Sequence, residues 1–204
     1  MSTPSHAVPN LVGKYIHHGQ YLCERAIGRG SWGVVYQATK LSIPGSRVAI
    51  KAISTHMYDK HVISNITREV DYHRQCSSAI NGVLYYIDSF EDTDLGILFI
   101  VTEYCPDGDL LDVIISRKYS GDNEWIRRIF LQILDAVEAC HNMEVYHRDL
   151  KPENILCKDG GRKAVIADFG FATNKYKTND IHMGSEPFMS PGASILSFRV
   201  ILHN

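Results

Sequence analysis

The chain has 204 residues, of which 45% are hydrophobic and 22% are charged, a composition typical of a globular protein. Its 21 Lys and Arg residues against 23 Asp and Glu residues give a net charge of -2, which excludes the strongly basic balance of proteins that bind nucleic acids or membrane surfaces. The five cysteines are scattered without a C-x-x-C pair, as reduced thiols are, and neither a signal peptide nor a membrane span is visible. We therefore expect an intracellular protein of the cytoplasm or the nucleus.

Residues 1–19 are polar and contain prolines and glycines, which predicts a flexible N-terminal segment with order beginning near Tyr21. A glycine-rich stretch follows over residues 27–35 and contains the pattern G-x-G-x-x-G. This pattern also occurs in dinucleotide-binding folds, where the third glycine opens a helix. Here residues 34–39 are rich in β-branched side chains, which predicts a strand instead of a helix.

We therefore predict that the glycines lie in a hairpin between two strands. Because they have no side chain, Gly28, Gly30 and Gly33 allow backbone amides to approach phosphate oxygens. The alternative is a plain glycine-rich turn that binds nothing.

A strand that looks buried is predicted over residues 47–53, with Lys51 near its middle. A charged amine among Val, Ala and Ile is costly unless it is paired, although a lysine on an edge strand can also extend to solvent. Residues 59–76 predict a helix, because positions 62, 66, 70 and 73 fall on one helix face. Glu69 lies on the flank of that face.

Two further strands are predicted over residues 83–90 and 97–103, joined by an acidic turn. The second strand runs into Cys105-Pro106-Asp107-Gly108-Asp109, where Pro and Gly break the pattern. This stretch fits a hinge between two lobes, and it also fits an ordinary strand-to-helix turn. Asp122 or Asn123 can then cap a helix. The apolar stripe of this helix is predicted to be core and consists of Ile126, Ile129, Phe130, Ile133, Leu134 and Val137.

The most informative stretch is Tyr146-His147-Arg148-Asp149-Leu150-Lys151-Pro152-Glu153-Asn154. Two short strands follow it, and Asp159-Gly160-Gly161 between them predicts a hairpin. The hairpin would bring Asp168 back beside Asp149 and Asn154. Two acids and an amide at one end of a hairpin can share metal ions.

Residues 146–154, followed by Asp168-Phe169-Gly170, resemble the catalytic loop and the magnesium-binding loop of eukaryotic protein kinases of the Ser/Thr type. The resemblance extends over most of the chain, from Tyr21 to Pro191. It implies an α+β, two-lobed protein-kinase-like fold, with a small antiparallel β-sheet lobe that carries one helix and an incomplete, mainly helical lobe. The implied domains are a flexible segment 1–19, an N-terminal lobe 20–104, a partial C-terminal lobe 105–191 and a tail 192–204 that does not resemble the family.

The resemblance implies an enzyme that transfers the γ-phosphate of ATP to Ser or Thr hydroxyls of a protein substrate, with Mg²⁺ as cofactor. Asp149 would accept the proton of the substrate hydroxyl or orient that hydroxyl. Lys151 would neutralise charge on the γ-phosphate, and a lysine at this position marks the Ser/Thr class. Asn154 and Asp168 would ligate magnesium. The implied ATP-binding residues are Ile27, Gly28, Gly30, Ser31, Gly33, Val35, Ala49, Lys51, Glu69, Glu103, Cys105, Asp109 and Leu156.

Within this set the resemblance pairs Lys51 with the nucleotide phosphates and with Glu69, and it makes Thr102 the gatekeeper of the adenine pocket. Gly184-Ser185 resembles the Gly-Thr or Gly-Ser pair that helps to seat a Ser/Thr substrate at the end of the activation segment. Arg148 beside Asp149 suggests control by an anionic group. A phosphate on Thr178 is our hypothesis for that group, and an unmodified threonine is the alternative.

The family closes this segment with Ala-Pro-Glu, whereas here Gly192 follows Ser190-Pro191. We therefore expect a C-terminally truncated kinase, in which the predicted apolar stripe loses partners and activity could be lost. Two interpretations stay open, a Ser/Thr kinase and an ATP-binding fragment or regulatory module without transfer. A small-molecule kinase fits less well, because Lys151 and the pair Gly184-Ser185 favour protein substrates. A dinucleotide-binding oxidoreductase fits least, because a strand follows Gly33.

Overall fold

The computed structural model describes residues 8–30, 33–57, 60–175 and 184–189. The chain divides into two compact units. The first contains the residues up to Thr67 together with Tyr85–Tyr104, and the second contains Arg68–Leu84 together with the residues from Cys105 onward. The fold class is α+β, as predicted, with a six-stranded antiparallel sheet in the first unit and a 20-residue helix beside a two-stranded hairpin in the second.

The first unit is built on a six-stranded antiparallel sheet with the strand order β1-β2-β3-β4-β6-β5. The strands are β1 (Tyr15–Ile16), β2 (Tyr21–Gly30), β3 (Gly33–Lys40), β4 (Arg47–Ser54), β5 (Tyr86–Asp92) and β6 (Ile97–Glu103). Gly30 at the end of β2 pairs with Gly33 at the start of β3. The predicted pairing of two strands around the glycines is therefore confirmed: Gly30 and Gly33 lie at the strand ends, and Gly28 lies inside β2 opposite Val35.

The side chains of β3 and β4 alternate between two environments, as the period of a strand requires. Tyr36 on β3 and Ile50 on β4 pair with one another and are fully buried in the core of this unit. Full burial of such an apolar side chain contributes roughly 1.5–3 kcal/mol. Val35 and Lys51 pair one position further along and therefore project from the opposite face.

Residues 8–19 differ from the expectation of a flexible segment. Tyr15 and Ile16 pair with β2, and the backbone N–H of Gly13 donates to the carbonyl of Cys23. Leu11 and Ile16 are buried in the core of the sheet. Isolated apolar residues in a polar stretch carry no periodic signal, so the sequence pattern did not reveal this edge of the sheet.

Helix α1 covers Lys60–Ala79 and extends beyond the predicted end at residue 76. Its predicted inner face is confirmed at Ile66, Val70 and His73, which are buried. The strand predicted over residues 83–90 begins only at Tyr86. Val83 instead pairs in parallel with Ile166 in the second unit.

The second unit contains α2 (Leu110–Ile115), α3 (Asn123–Asn142), β7 (Ile155–Lys158) and β8 (Lys163–Ile166). Asp122 caps α3 as predicted, because its Oδ1 accepts a 2.9 Å hydrogen bond from the backbone N–H of Trp125. Strands β7 and β8 form an antiparallel hairpin. A buried cluster that includes Trp125, Ile129 and Phe169 packs α3 against this hairpin.

The apolar stripe of α3 is core on one flank only. Ile129 is 3% exposed and belongs to the core cluster, against which Ile133 and Val137 also pack. Ile126, Phe130 and Leu134 on the other flank are 52%, 60% and 45% exposed, so the prediction that the whole stripe is core was wrong for them. Within the part of the chain that the structure describes, no helix combines the length and the apolarity that a membrane span needs.

Candidate active site

The loop between α3 and β7 holds the candidate catalytic residues of the second unit. Tyr146 at its start exchanges two backbone hydrogen bonds with Thr173, of 2.8 and 3.0 Å. A 3₁₀ turn over Pro152–Asn154 ends the loop, and the backbone N–H of Asn154 closes that turn on the carbonyl of Lys151. Both ends of the loop are thus fixed by backbone hydrogen bonds.

Asp149 lies at the centre of this loop and is 4% exposed. Its Oδ2 is 3.0 Å from Nζ of Lys151 and accepts a 2.9 Å hydrogen bond from Nδ2 of Asn154. Its Oδ1 accepts a 2.7 Å hydrogen bond from the backbone N–H of Ser185. Burial raises the pKa of Asp149, but the hydrogen bonds from Lys151, Ser185 and Asn154 outweigh it and hold this pKa below its usual value. The carboxylate is therefore ionised at neutral pH and can accept a proton or orient a donor.

Lys151 and Ser185 meet directly in front of Asp149. Nζ of Lys151 donates a 2.7 Å hydrogen bond to Oγ of Ser185. Gly184 next to it has φ of 103°, and a Cβ added there would lie 2.5 Å from the carbonyl oxygen of Arg148. Only glycine fits so close to the catalytic loop without displacing backbone, so Gly184 allows Ser185 to reach Asp149.

The open end of the β7–β8 hairpin brings the two candidate magnesium ligands together. The backbone N–H of Ala167 donates a 2.9 Å hydrogen bond to the carbonyl of Asn154, and Asp168 follows directly with φ of 60°. Nδ2 of Asn154 donates to both the carbonyl and Oδ2 of Asp149, at 2.8 and 2.9 Å. The side-chain oxygen of Asn154 is then the atom that a cation would use.

These donors fit magnesium. The described residues contain no group of three His, Cys, Asp or Glu side chains that could hold a metal. A carboxylate from Asp168 and an amide oxygen from Asn154 make a smaller set of hard donors. Mg²⁺ keeps several waters and is commonly bound through one or two protein oxygens together with phosphates of the substrate, so a small set suffices.

The sequence analysis gave no role to His147, which contacts the backbone of both Asp149 and Ala167 and so supports this site. Its Nε2 lies 2.9 Å from the carbonyl of Ala167, and its Nδ1 accepts a 3.3 Å hydrogen bond from the backbone N–H of Asp149. Phe169 packs between the rings of His73 and His147, with centroid distances of 5.3 and 5.0 Å. Burial lowers the pKa of His147, which keeps the ring neutral and able to make both contacts.

The predicted phosphate-binding residues of the first unit share one face of its sheet. Lys51 pairs with Val35 on one side and with Ile100 on the other. Ala49 pairs with the predicted gatekeeper Thr102 on the same face. Gly28 pairs with Val35, and Ile27 is partly exposed beside it. The sheet thus gathers Gly28, Val35, Ala49 and Lys51 within this unit.

The residues predicted to contact adenine and ribose have additional contacts. The backbone N–H of Glu103 donates to the carbonyl of Tyr85 at 2.9 Å, so its own carbonyl is the group that adenine would use. That carbonyl accepts a 3.2 Å hydrogen bond from Thr102 and has a second lone pair. In the second unit, Cys105 packs with Leu156. Asp109 caps α2, because its Oδ1 accepts from the backbone N–H of Asp112 at 2.8 Å, a role that the sequence analysis missed.

Glu69 approaches Asp168 and Gly170, the loop predicted to bind magnesium, within its own unit. A Cβ added at Gly170 would lie 3.4 Å from Oε2 of Glu69 and 3.2 Å from Oδ1 of Asp168. The pairing of Glu69 with Lys51 stays a prediction. Arg148 has φ of 67° and donates from Nε to the carbonyl of Phe171 at 2.6 Å. Ser31, Thr178, Ser190-Pro191 and the tail 192–204 lie outside the described residues.

Two features of the structure are typical of protein kinases. One is the group of two aspartates, a lysine and an asparagine at the open end of the β7–β8 hairpin. The other is the glycine-rich strand pair of an antiparallel sheet. Residues 21–194 match the protein kinase domain family, so the chain belongs to the eukaryotic protein kinase family. Its relatives place it with the serine/threonine kinases of that family.

Three similar proteins illustrate the relationship. The negative regulator of sexual conjugation and meiosis of Schizosaccharomyces pombe is 37% identical over 167 residues, which are 81% of this chain and 34% of that protein. Serine/threonine-protein kinase ksp1 of the same organism is 35% identical over 190 residues, 87% of this chain and 38% of that protein. Serine/threonine-protein kinase SIK1 of Rattus norvegicus is 36% identical over 192 residues, 91% of this chain and 24% of that protein. The chain thus spans about a quarter to two fifths of the length of these curated relatives.

Proposed function

We propose that this chain transfers the γ-phosphoryl group of ATP to Ser or Thr hydroxyls of a protein substrate. The observation that carries the proposal is the cluster of Asp149, Lys151 and Ser185, with contacts of 2.7 to 3.0 Å among them. A base and a cation on one serine form a site in which a hydroxyl can be oriented and the charge of a transferring phosphate can be neutralised.

In the proposed reaction the residues of the chain act by position and charge, since phosphoryl transfer needs little covalent chemistry from the protein. Asp149 accepts a hydrogen bond from the substrate hydroxyl and receives its proton as the bond from the hydroxyl oxygen to the γ-phosphorus forms, while the bond from that phosphorus to the bridging oxygen breaks and ADP leaves. Lys151 neutralises charge on the transferring phosphoryl group. Asn154 and Asp168 would hold magnesium, which supplies further charge neutralisation when it is bound.

For the nucleotide, the proposal assigns the phosphates to the backbone of Gly28, Gly30, Ser31 and Gly33 and to Lys51, with Glu69 as the partner of this lysine. Ile27, Val35, Ala49 and Leu156 would enclose adenine between apolar side chains. The backbone of Glu103 and Cys105 would hydrogen-bond its edge, and Asp109 would use its second carboxylate oxygen for the ribose. The common sheet face of Val35, Ala49 and Lys51 supports this assignment.

We also propose the division into an N-terminal lobe 20–104 and a partial C-terminal lobe 105–191, and an intracellular location. All five cysteines are buried, and none of them forms a disulfide. Burial raises the pKa of Cys23 and of Cys157 to about 11, which makes these thiols unreactive at neutral pH. Five buried reduced thiols support a reducing compartment.

A second candidate function is nucleotide binding without transfer. The exposed apolar flank of α3, formed by Ile126, Phe130 and Leu134, favours it, because exposed apolar surface of this kind is usually covered in a working enzyme. An activity assay run beside a binding assay separates the two candidates.

The experiment begins with thermal unfolding of the purified chain with and without ATP and magnesium, beside Asp168→Ala. A ligand at about 100 times its dissociation constant should stabilise the folded chain by about 2.7 kcal/mol. We expect this stabilisation in the wild type and its loss in Asp168→Ala. Transfer of radioactive phosphate from ATP to a mixture of Ser- and Thr-containing peptides then tests the reaction. Stabilisation without transfer would support the binding module, and no stabilisation would contradict both functions.

A further inference from the structure

The turn at the closed end of the β7–β8 hairpin is held by a carboxylate from far away in the sequence. Oδ2 of Asp107 accepts hydrogen bonds from the backbone N–H groups of Gly160 and Gly161, at 2.7 and 3.1 Å. Both glycines have positive φ, of 69° and 82°. This conformation directs two successive N–H groups at one point and forms a small anion-binding nest.

The carbonyl groups of the same two glycines are also bound by side chains. The carbonyl of Gly160 accepts hydrogen bonds from the hydroxyl of Tyr119 and, at 2.8 Å, from Nζ of Lys118. The carbonyl of Gly161 accepts a 2.7 Å hydrogen bond from Nε1 of Trp125, whose ring stacks on Tyr119 at 4.6 Å. All four backbone polar groups of the glycine pair are therefore held by residues from the segment between Asp107 and Trp125.

The opposite end of this short hairpin carries Asn154 and Asp168. Each strand has four residues, and the pairing runs without a bulge from Lys158 with Lys163 to Ile155 with Ile166. A displacement of the turn would be transmitted through so short a ladder to the mouth of the hairpin, because packed structure has low compressibility.

The segment that holds the turn begins within residues 105–109, which are predicted to contact adenine and ribose. The backbone N–H of Cys157 donates to the carbonyl of Gly108 at 2.8 Å, and Asp109 forms a bridge with Leu156. Residues 107–109 thus run along the edge of β7, and Asp107 is their anchor on the turn.

We propose that Asp107 is a positioning residue for the magnesium pair Asn154 and Asp168, because it ties the hairpin to the nucleotide-binding segment 105–109. This inference rests on the proposed function, since it assigns a purpose to the precise placement of these two donors. A carboxylate that accepts two N–H bonds holds a turn more firmly than a neutral acceptor, because charge-assisted hydrogen bonds are about twice as strong as neutral ones. The chemistry at the far end is binding of a divalent cation together with nucleotide phosphates.

The test compares the wild-type chain with Asp107→Ala, with the conservative Asp107→Asn and with Asp159→Asn as matched control. Asp159 is an acid in the same turn, and its carboxylate forms an exposed ion pair with Lys163. The first measurement is amide hydrogen exchange at Gly160, Gly161, Ala167 and Asp168. The second is the affinity for adenosine, for ADP alone and for ADP with magnesium.

We expect faster exchange in Asp107→Ala both at the turn and at Ala167 and Asp168. We expect the gain in ADP affinity on adding magnesium to fall about tenfold, the low end of the effect of removing supporting residues around a metal. Affinity for adenosine should stay unchanged. Asp107→Asn, which keeps one acceptor oxygen, should fall in between, and Asp159→Asn should behave like the wild type.

Three results would overturn the inference. Equal losses of adenosine affinity and of magnesium-dependent ADP affinity would mean that Asp107 only supports the nucleotide segment. Exchange that rises at the turn but not at Ala167 and Asp168 would mean that the turn is not coupled to the hairpin mouth, and unchanged exchange at the turn would contradict the anchor itself. If the wild type binds no nucleotide, the proposed function fails, and the exchange pattern alone decides on the anchor. If Asp107→Ala does not unfold cooperatively, Asp107→Asn decides by the same measurements.

Discussion

The backbone N–H of Ser185 donates a 2.7 Å hydrogen bond to Oδ1 of Asp149, which is 36 residues away in the chain. The contact brings a hydroxyl-bearing residue against the candidate base, and Lys151 binds the hydroxyl itself at 2.7 Å. Ser185 is thereby joined to the carboxylate that would receive the proton of the substrate hydroxyl in the proposed reaction.

Asp149→Asn is the most direct test of the base. We expect a loss of transfer of about 10²- to 10⁴-fold, because a positioned general base contributes this range. Nucleotide-dependent thermal stabilisation should stay close to that of the wild type, since the proposed nucleotide contacts do not include Asp149. Initial rates of peptide phosphorylation and thermal unfolding with ATP and magnesium measure the two effects.

The matched control for this variant is Asp159→Asn, the same change at an exposed position that pairs with Lys163. Its rate and its stabilisation should equal those of the wild type. An Asp149→Asn variant that transfers phosphate at the wild-type rate would remove Asp149 from the proposed mechanism.

The contiguous part of the site could be predicted from the sequence, because its residues are neighbours along the chain. Asp149, Lys151 and Asn154 occupy one loop. The two-glycine turn correctly predicted the hairpin that brings Asp168 back to this loop. Strand pairing at Gly30 and Gly33 followed in the same way from the β-branched residues beside them. Local spacing carries this information because short loops leave few ways to connect such elements.

The contacts between distant segments could not be predicted. The carboxylate of Asp107 reaches the turn at Gly160 across 53 residues of sequence, and no local pattern distinguishes it from other acids. Which flank of the α3 stripe is buried depends on tertiary partners rather than on helical period, so the prediction was right for Ile129 and wrong for its neighbour Phe130. The neutral His147 belongs to the same class, since its role depends on Ala167, which is 20 residues away.

The two flanks of α3 should differ in their contribution to stability. Ile129→Ala, at a position 3% exposed, should lower the free energy of unfolding by about 2–5 kcal/mol, because it leaves a cavity in the core. Ile126→Ala, at a position 52% exposed on the same helix, should change it by no more than about 0.5 kcal/mol. Urea denaturation of both variants measures the difference. Equal losses would show that the outer flank is packed in solution, and would contradict the exposed surface described above.

Acidification should destabilise the chain through His147. Burial lowers the pKa of this histidine below its ordinary value of 6.5. As the pH falls through 6.5, the unfolded chain binds a proton that the folded chain does not, so the free energy of unfolding decreases until the pH reaches the lowered folded pKa. The free energy of unfolding, measured by denaturation at several values between about pH 7.5 and pH 5.5, should therefore decrease less for His147→Asn than for the wild type.

The control for the pH experiment is His141→Asn, at an exposed position of α3. A free energy of unfolding that varies as little with pH in His141→Asn as in His147→Asn would attribute the effect to the loss of any histidine rather than to His147. If His147→Asn and the wild type lose the same free energy of unfolding over this range, titration of His147 is not the cause.

Gly184→Ala should separate the activation segment from the catalytic loop. The added Cβ would meet the carbonyl oxygen of Arg148 at 2.5 Å, and the φ of 103° is strained for alanine. A residue held in such a region costs about 1–3 kcal/mol, and displacement of Ser185 relieves both the strain and the clash. We therefore expect slower peptide phosphorylation with unchanged adenosine affinity.

Gly121→Ala is the matched control, because Gly121 also has a positive φ, of 79°, but nothing lies within 4 Å of the added Cβ. A variant at Gly121 that slows phosphorylation as much as the one at Gly184 would attribute the effect to general strain and would contradict a specific role of Gly184 in seating Ser185.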